Sequence, residues 1–119
     1  MRLRSEIWVH AYMRRAQAEG CAAYVVRRGD PHAGAILICI AGTAGTSLFT
    51  PVPADEPDGE RAWRERVAAA PESAAQVARH VEKEASFDPD IWVIEIEDRD
   101  NRNFLGDWLK SDADRTGSP

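Results

Sequence analysis

The sequence predicts an α+β fold: a mainly antiparallel sheet of four to five strands with two amphipathic helices, about 6–19 and 71–86, packed on one face. Two segments carry apolar residues at helical spacing: Ile7, Trp8, Ala11, Tyr12 and Ala16 in the first, Ala74, Val77, Ala78, Val81 and Ala85 in the second. Several short runs show the β-branched and aromatic content, or the period-two alternation, of strands. Short turns join the strands between the helices, which makes sequential strands antiparallel neighbours and points to a two-layer sandwich.

Ser5 is placed to cap the first helix, and Val9 and Met13 widen its stripe. Gly20 ends it at a position that favours left-handed backbone, and Arg14 and Arg15 suit its C-terminal half. Residues 21–28 read as a strand, and Gly29 to Gly34 as a turn. Ala35 to Ile40 is a continuous apolar run, too short for a helix and suited to a central strand. The two strands are expected to form a β-hairpin. A second turn, Gly42 to Gly45, leads to a strand from Thr46 to Val52, and Pro51 and Pro53 mark its end. Residues 53–60 are acidic and Pro-rich, an exposed loop.

Trp63, Glu65 and Val67 alternate with Arg64 and Arg66, which favours a fourth strand, although the Ala-rich 60–70 stretch also has good helix propensity. Pro71 and Glu72 suit the first turn of the second helix. Asp88-Pro89-Asp90 stops that helix. In the strand 91–97, Trp92, Ile94 and Ile96 share one face, and Ile91, Val93, Glu95 and Glu97 the other. Asn101 and Asn103 favour left-handed backbone in the next turn, and Phe104, Leu105, Trp108 and Leu109 form a last short element that packs back. The expected organisation is one domain over 1–110 and a disordered tail over 111–119.

The chain has 119 residues, 44% hydrophobic and 29% charged, values of an ordinary globular domain that needs no staples. The net charge of -5 argues against nucleic-acid binding, which needs Lys and Arg to displace counterions. The charge is dipolar: arginines gather in the first 28 residues, acids in 55–60 and 88–100. Cys21 and Cys39 are expected as free thiols, since neither has a Cys or His at zinc-ligand spacing. No apolar run is long enough to span a bilayer, and the N-terminus lacks a signal-peptide core, so the expected location is the cytoplasm.

Chemistry is sparse. Asp90, Glu95 and Glu97 are the candidate metal ligands, because a Mg²⁺ site needs only one or two carboxylates plus phosphate oxygens. Pro89-Asp90 followed by Glu95-Ile96-Glu97 approaches the pattern of PD-(D/E)xK nucleases, but Glu97 stands where the lysine belongs. Arg27 and Arg28 point to opposite faces of a strand and cannot form one phosphate fork. His10, His32 and His80 share no ligand spacing, and Gly42 to Gly45 lacks the lysine of a phosphate loop. Trp63, set among arginines and acids, is the tryptophan expected to be exposed and able to anchor a partner.

Arg2 to Val9, then Val26-Arg27-Arg28-Gly29-Asp30 with Ala33-Gly34, then Phe87 to Asp98 with Phe104-Leu105, resemble one family across residues 2–105. It is domain-of-unknown-function family number 1491, found in alphaproteobacteria. The chain departs from its pattern at Asn101, where the family usually has glycine, and Asn tolerates the same backbone. The resemblance implies a bacterial setting and no catalytic residues. The reading that follows is a cofactor-free, non-enzymatic module binding a protein partner or a second copy. Its surface is placed at Arg27, Arg28, Asp30, Trp63, Asp88, Asp90, Glu95 and Glu97. The alternative is a Mg²⁺-dependent phosphoesterase using Asp90, Glu95 and Glu97. A third reading sets a small-molecule pocket between helix 6–19 and the sheet.

Overall fold

A computed structural model of the chain describes residues 2–53 and 59–110. The expected tail, 111–119, and the middle of the acidic loop lie outside the described residues. The elements run α1 (Ser5–Ala18), β1 (Ala22–Arg27), β2 (Ile36–Gly42), β3 (Gly45–Pro51), β4 (Trp63–Val67), α2 (Ser73–Phe87), β5 (Trp92–Glu97) and a 3-10 turn, Gly106–Trp108. This is the α+β class expected, with a strand rather than a helix inside 60–70.

The sheet order is β1-β5-β2-β3-β4, antiparallel except for β2 beside β5. The expected β1–β2 hairpin does not form, because β5 lies between the two strands. The physical reason is in β2 and β5 themselves. Ile36 to Ile40 and Ile91 to Ile94 are buried throughout, on both faces. Each such side chain gains about 1.5–3 kcal/mol by leaving water, so these runs take the centre, and β1, with more polar surroundings, takes the edge.

The same runs correct the placement of the helices, which sit on opposite faces rather than on one. Trp8, Val9, Tyr12 and Ala16 of α1 pack on Ile36, Ile38, Ile40, Trp92, Ile94 and Ile96. Val77 of α2, with Val81 and Ala85 beside it, packs on Leu37, Cys39, Leu48, Val67 and Val93. A strand apolar on both faces needs a cover on each. α1 lies nearest β1 and β5, and α2 nearest β3 and β4.

Ser5 is the first residue of α1 rather than its cap. Its hydroxyl donates to the Gly34 carbonyl (2.7 Å) and accepts from buried Arg61 (3.0 Å). The 31–34 loop supplies the caps instead: the His32 and Pro31 carbonyls accept from the Ser5 and Glu6 N–H groups. Pro71 and Glu72 precede α2, and the Ser73 hydroxyl accepts from the Thr46 N–H. Gly20 has the expected positive φ, 86°. Of the two asparagines, only Asn101 is left-handed (φ 55°); Phe104, not Asn103, is the second. The last segment packs back as expected, with Leu105 buried and Leu109 bridged to Trp63.

Candidate interaction surface

At one end of the sheet, loop 28–34 closes on loop 88–91. The Asp30 N–H donates to the Asp90 carbonyl (2.9 Å), and the Asp30 carbonyl accepts from Trp92 Nε1 (2.8 Å). Asp30 Oδ2 accepts from the His32 and Ala33 N–H groups, tightening the turn. Gly29 and Gly34 both abut the Asp90 carbonyl oxygen so closely that a Cβ at either would collide with it. Arg27 donates to the Pro89 carbonyl (3.2 Å), and Asp88 Oδ1 accepts from the Asp90 N–H (2.9 Å). Arg28 lies 5.1 Å over the Trp92 ring and pairs with Glu6. The structure therefore brings Arg27, Arg28, Asp30, Asp88 and Asp90 together, and their visible contacts close the loops.

Glu95 and Glu97 lie elsewhere. Glu95 stands between Tyr24 and Cys39, and Glu97 between Ala22 and Ala41. Asp90 and Glu95 are five residues apart, about 16 Å of extended chain at ~3.3 Å per residue, so their carboxylates do not converge. Among the described residues no group of three His, Cys, Asp or Glu side chains is placed to hold a metal ion. The Asp90, Glu95 and Glu97 set is therefore not assembled as one ligand cage. Glu95 has a different consequence: burial, and then the Glu95 charge, pushes the Cys39 thiol up to about 12.

Trp63 corrects the sequence reading most sharply. It is 1% exposed, stacks on Trp8 at 4.2 Å between ring centroids, and donates from Nε1 to the Ile36 carbonyl. A β-bulge also separates Trp63 from Val67. Leu48 pairs with Val67 but Phe49 pairs with Glu65, so the strand shifts by one residue at Arg66. Trp63 thus joins the α1-side core, while Val67 joins the α2-side core. Strict alternation had placed them on one face.

Sequence reasoning missed the surface that the fold does leave open. β1 is an edge strand whose last four residues are exposed, with Tyr24 at 48%, Val25 at 39% and Val26 at 60%. At the opposite edge, β4, the first residue is engaged: Leu109 bridges to Trp63, and the Lys110 N–H donates to the Trp63 carbonyl (2.7 Å). At the C-terminal end of α2, Phe87 is 78% exposed, two residues before the Pro89 that Arg27 grips.

A second polar centre also went unread. Buried Asp98 accepts hydrogen bonds from the Arg102 N–H (2.8 Å), from the Arg102 guanidinium (2.9 and 3.1 Å) and from the Cys21 thiol (3.4 Å). The Arg102 bonds hold Asp98 well below the usual carboxylate range. Burial and the Asp98 carboxylate push the Cys21 thiol up. The i to i+4 spacing of Asp98 and Arg102 was the available signal.

A family model described as "Protein of unknown function (DUF1491)" matches residues 3–106. The chain belongs to the DUF1491 family. A crystal structure of a DUF1491 family protein from Caulobacter crescentus CB15 is 37% identical, with a TM-score of 0.77 over 93% of this chain and 100% of that one. An NMR structure of a DUF1491 family protein from the same organism is 41% identical, with a TM-score of 0.77 over 93% and 99% of the two chains. The solution structure of protein Atu0922 from A. tumefaciens is 33% identical, with a TM-score of 0.75 over 87% and 92%. No curated protein matches the sequence. The alphaproteobacterial family resemblance and the α+β class therefore both hold. Among the described residues no helix is long and apolar enough to cross a membrane.

Proposed function

We propose that this DUF1491 chain is a protein-binding module that associates with a second copy of itself, edge to edge through β1. The observation that carries the reading is the open apolar edge, Ala22 to Val25 with Val26 beyond it, on a sheet whose other edge is bridged at Trp63. An unpaired strand edge presents a row of N–H and C=O groups that a second strand satisfies. Two-fold pairing through β1 alone closes the assembly at a dimer instead of a fibre.

Charge favours the antiparallel, two-fold arrangement. Arg27 and Arg28 lie at the C-terminal end of β1, and Glu97 sits beside its N-terminal end, across from Ala22. A two-fold axis at the middle of β1 sets the basic end of each copy against the acidic end of the other. The bulge between Val25 and Arg27 limits the shared ladder to residues 22–25, so the dimer is weak and reversible.

Sedimentation velocity over a concentration series tests this. The expected result is a reversible shift from monomer to dimer, lost in Tyr24→Lys/Val26→Lys, whose new charges sit on exposed positions. A wild-type chain that stays monomeric at the highest soluble concentration overturns the reading.

A further inference from the structure

On the far side of the sheet from β1, β4 and α2 leave a cleft of about 520 Å³ lined by Arg66, Gln76, Arg79, His80 and Lys83, with Val67 at its base. Among the described residues no carboxylate lines it. A second cleft of about 570 Å³ shares Arg66 and His80 with the first, so the two form one groove between α2 and the β3–β4 edge of the sheet. This second section adds Arg2 and Arg64, the apolar surface of Ala35, Pro51 and Val52, and the carboxylates of Glu84 and Asp88 toward the α2 C-terminus. Among the described residues none of Arg64, Arg66, Arg79 and Lys83 is in an ion pair. Such a concentration of cations is notable on a chain of net charge -5, because like charges gathered in one concave site raise the local potential and draw in an anion.

We infer that this groove binds an extended peptide segment of a partner protein, acidic at one end and apolar at the other. The Arg66, Arg79 and Lys83 section takes the carboxylates, with arginine able to grip them bidentately. The Ala35, Pro51 and Val52 section takes the apolar side chains, and Glu84 with Asp88 repels any acid that runs further. That polarity distinguishes the occupant from a polyphosphate chain. A single-stranded nucleic acid needs aromatic platforms for its bases, and among the described residues no aromatic side chain lines either section. The fold produces the groove through two features already described. The bulge at Arg66 turns β4 as it approaches α2, and Val77 and Val81 hold the helix down so that Arg79 and Lys83 stay at the rim.

Fluorescence anisotropy with a short labelled peptide, Glu and Leu alternating in one half and Leu and Ala in the other, tests the inference on the full chain at a concentration where it is monomeric. The expected result is saturable binding that weakens on adding salt, falls about tenfold or more in Arg66→Glu/Arg79→Glu, and is unchanged in Arg14→Glu on the opposite helix. The neutral variant Arg79→Gln/Lys83→Gln gives a smaller loss in the same direction and serves if the double reversal fails to fold. A peptide with Lys in place of Glu does not bind. Absence of saturable binding, binding that survives both variants, or an oligothymidylate that binds the same groove more tightly than the peptide each overturns the inference.

Discussion

Trp63 Nε1 donates a 2.8 Å hydrogen bond to the Ile36 carbonyl, so an edge-strand side chain ties itself to the first residue of the central strand β2. The same indole stacks on Trp8 of α1 and meets Trp108 edge-on at 6.5 Å. One residue therefore links the β4 edge, the sheet centre, the first helix and the returning C-terminal segment.

Trp63→Phe keeps an aromatic ring but removes the donor. The expected cost is about 1–3 kcal/mol, from an unanswered buried carbonyl and poorer packing. Trp63→Ala opens a cavity and is expected to cost about 3–5 kcal/mol. Urea unfolding curves with an unchanged slope check both values.

Asp98 gives a pH-dependent contribution of defined sign. Its carboxyl titrates lower in the folded chain than the ~3.9 of an unfolded aspartate, because Arg102 binds the charged form. The stabilisation is therefore complete above the ordinary carboxylate range and is lost as pH falls through the folded value. Asp98→Asn is expected to lower stability at neutral pH by about 2 kcal/mol, the scale of hydrogen bonds to a charged group. Thermal melts of the two proteins should converge as the pH drops below about 4, where the wild-type advantage shrinks.

Cys39 is buried, and its thiol is pushed up to about 12 by burial and by Glu95. The thiolate is the reactive form, so native Cys39 is expected to resist a thiol reagent near neutral pH until the chain unfolds. Cys21, half-buried and beside Asp98, is expected to react slowly in the native state. A native chain that releases two equivalents of reagent colour as fast as free cysteine would contradict this.

The sequence made the elements legible and left their arrangement less so. Both helices, the Gly20 stop, all five strands and the returning Phe104 to Leu109 segment follow from periodicity and turn chemistry, because those signals act over a few residues. The order of the strands is a long-range property. The Gly29 to Gly34 turn reads as a hairpin closure, yet its hydrogen bonds go to Asp90 and to the start of α1. One overlooked signal was local: Ile36 to Ile40 is apolar on both faces, which requires a helix on each side. Trp63 was misplaced because its charged neighbours were read as a solvated setting, whereas the ring turns to the face that α1 covers and stacks on Trp8. The loop-end site residues were legible as a cluster through Arg27, Asp30 and Asp90. The exposed β1 edge was not, since edge position depends on which strands win the centre.

Amide hydrogen exchange across a concentration series tests the self-association through β1 most directly. At high concentration the outward N–H groups of Ala22 to Val25 are expected to gain protection that dilution removes, while Trp63 to Val67 on the opposite edge keep the same exchange rates throughout. Protection in β1 that does not change with concentration, or that rises equally in β4, would contradict the account.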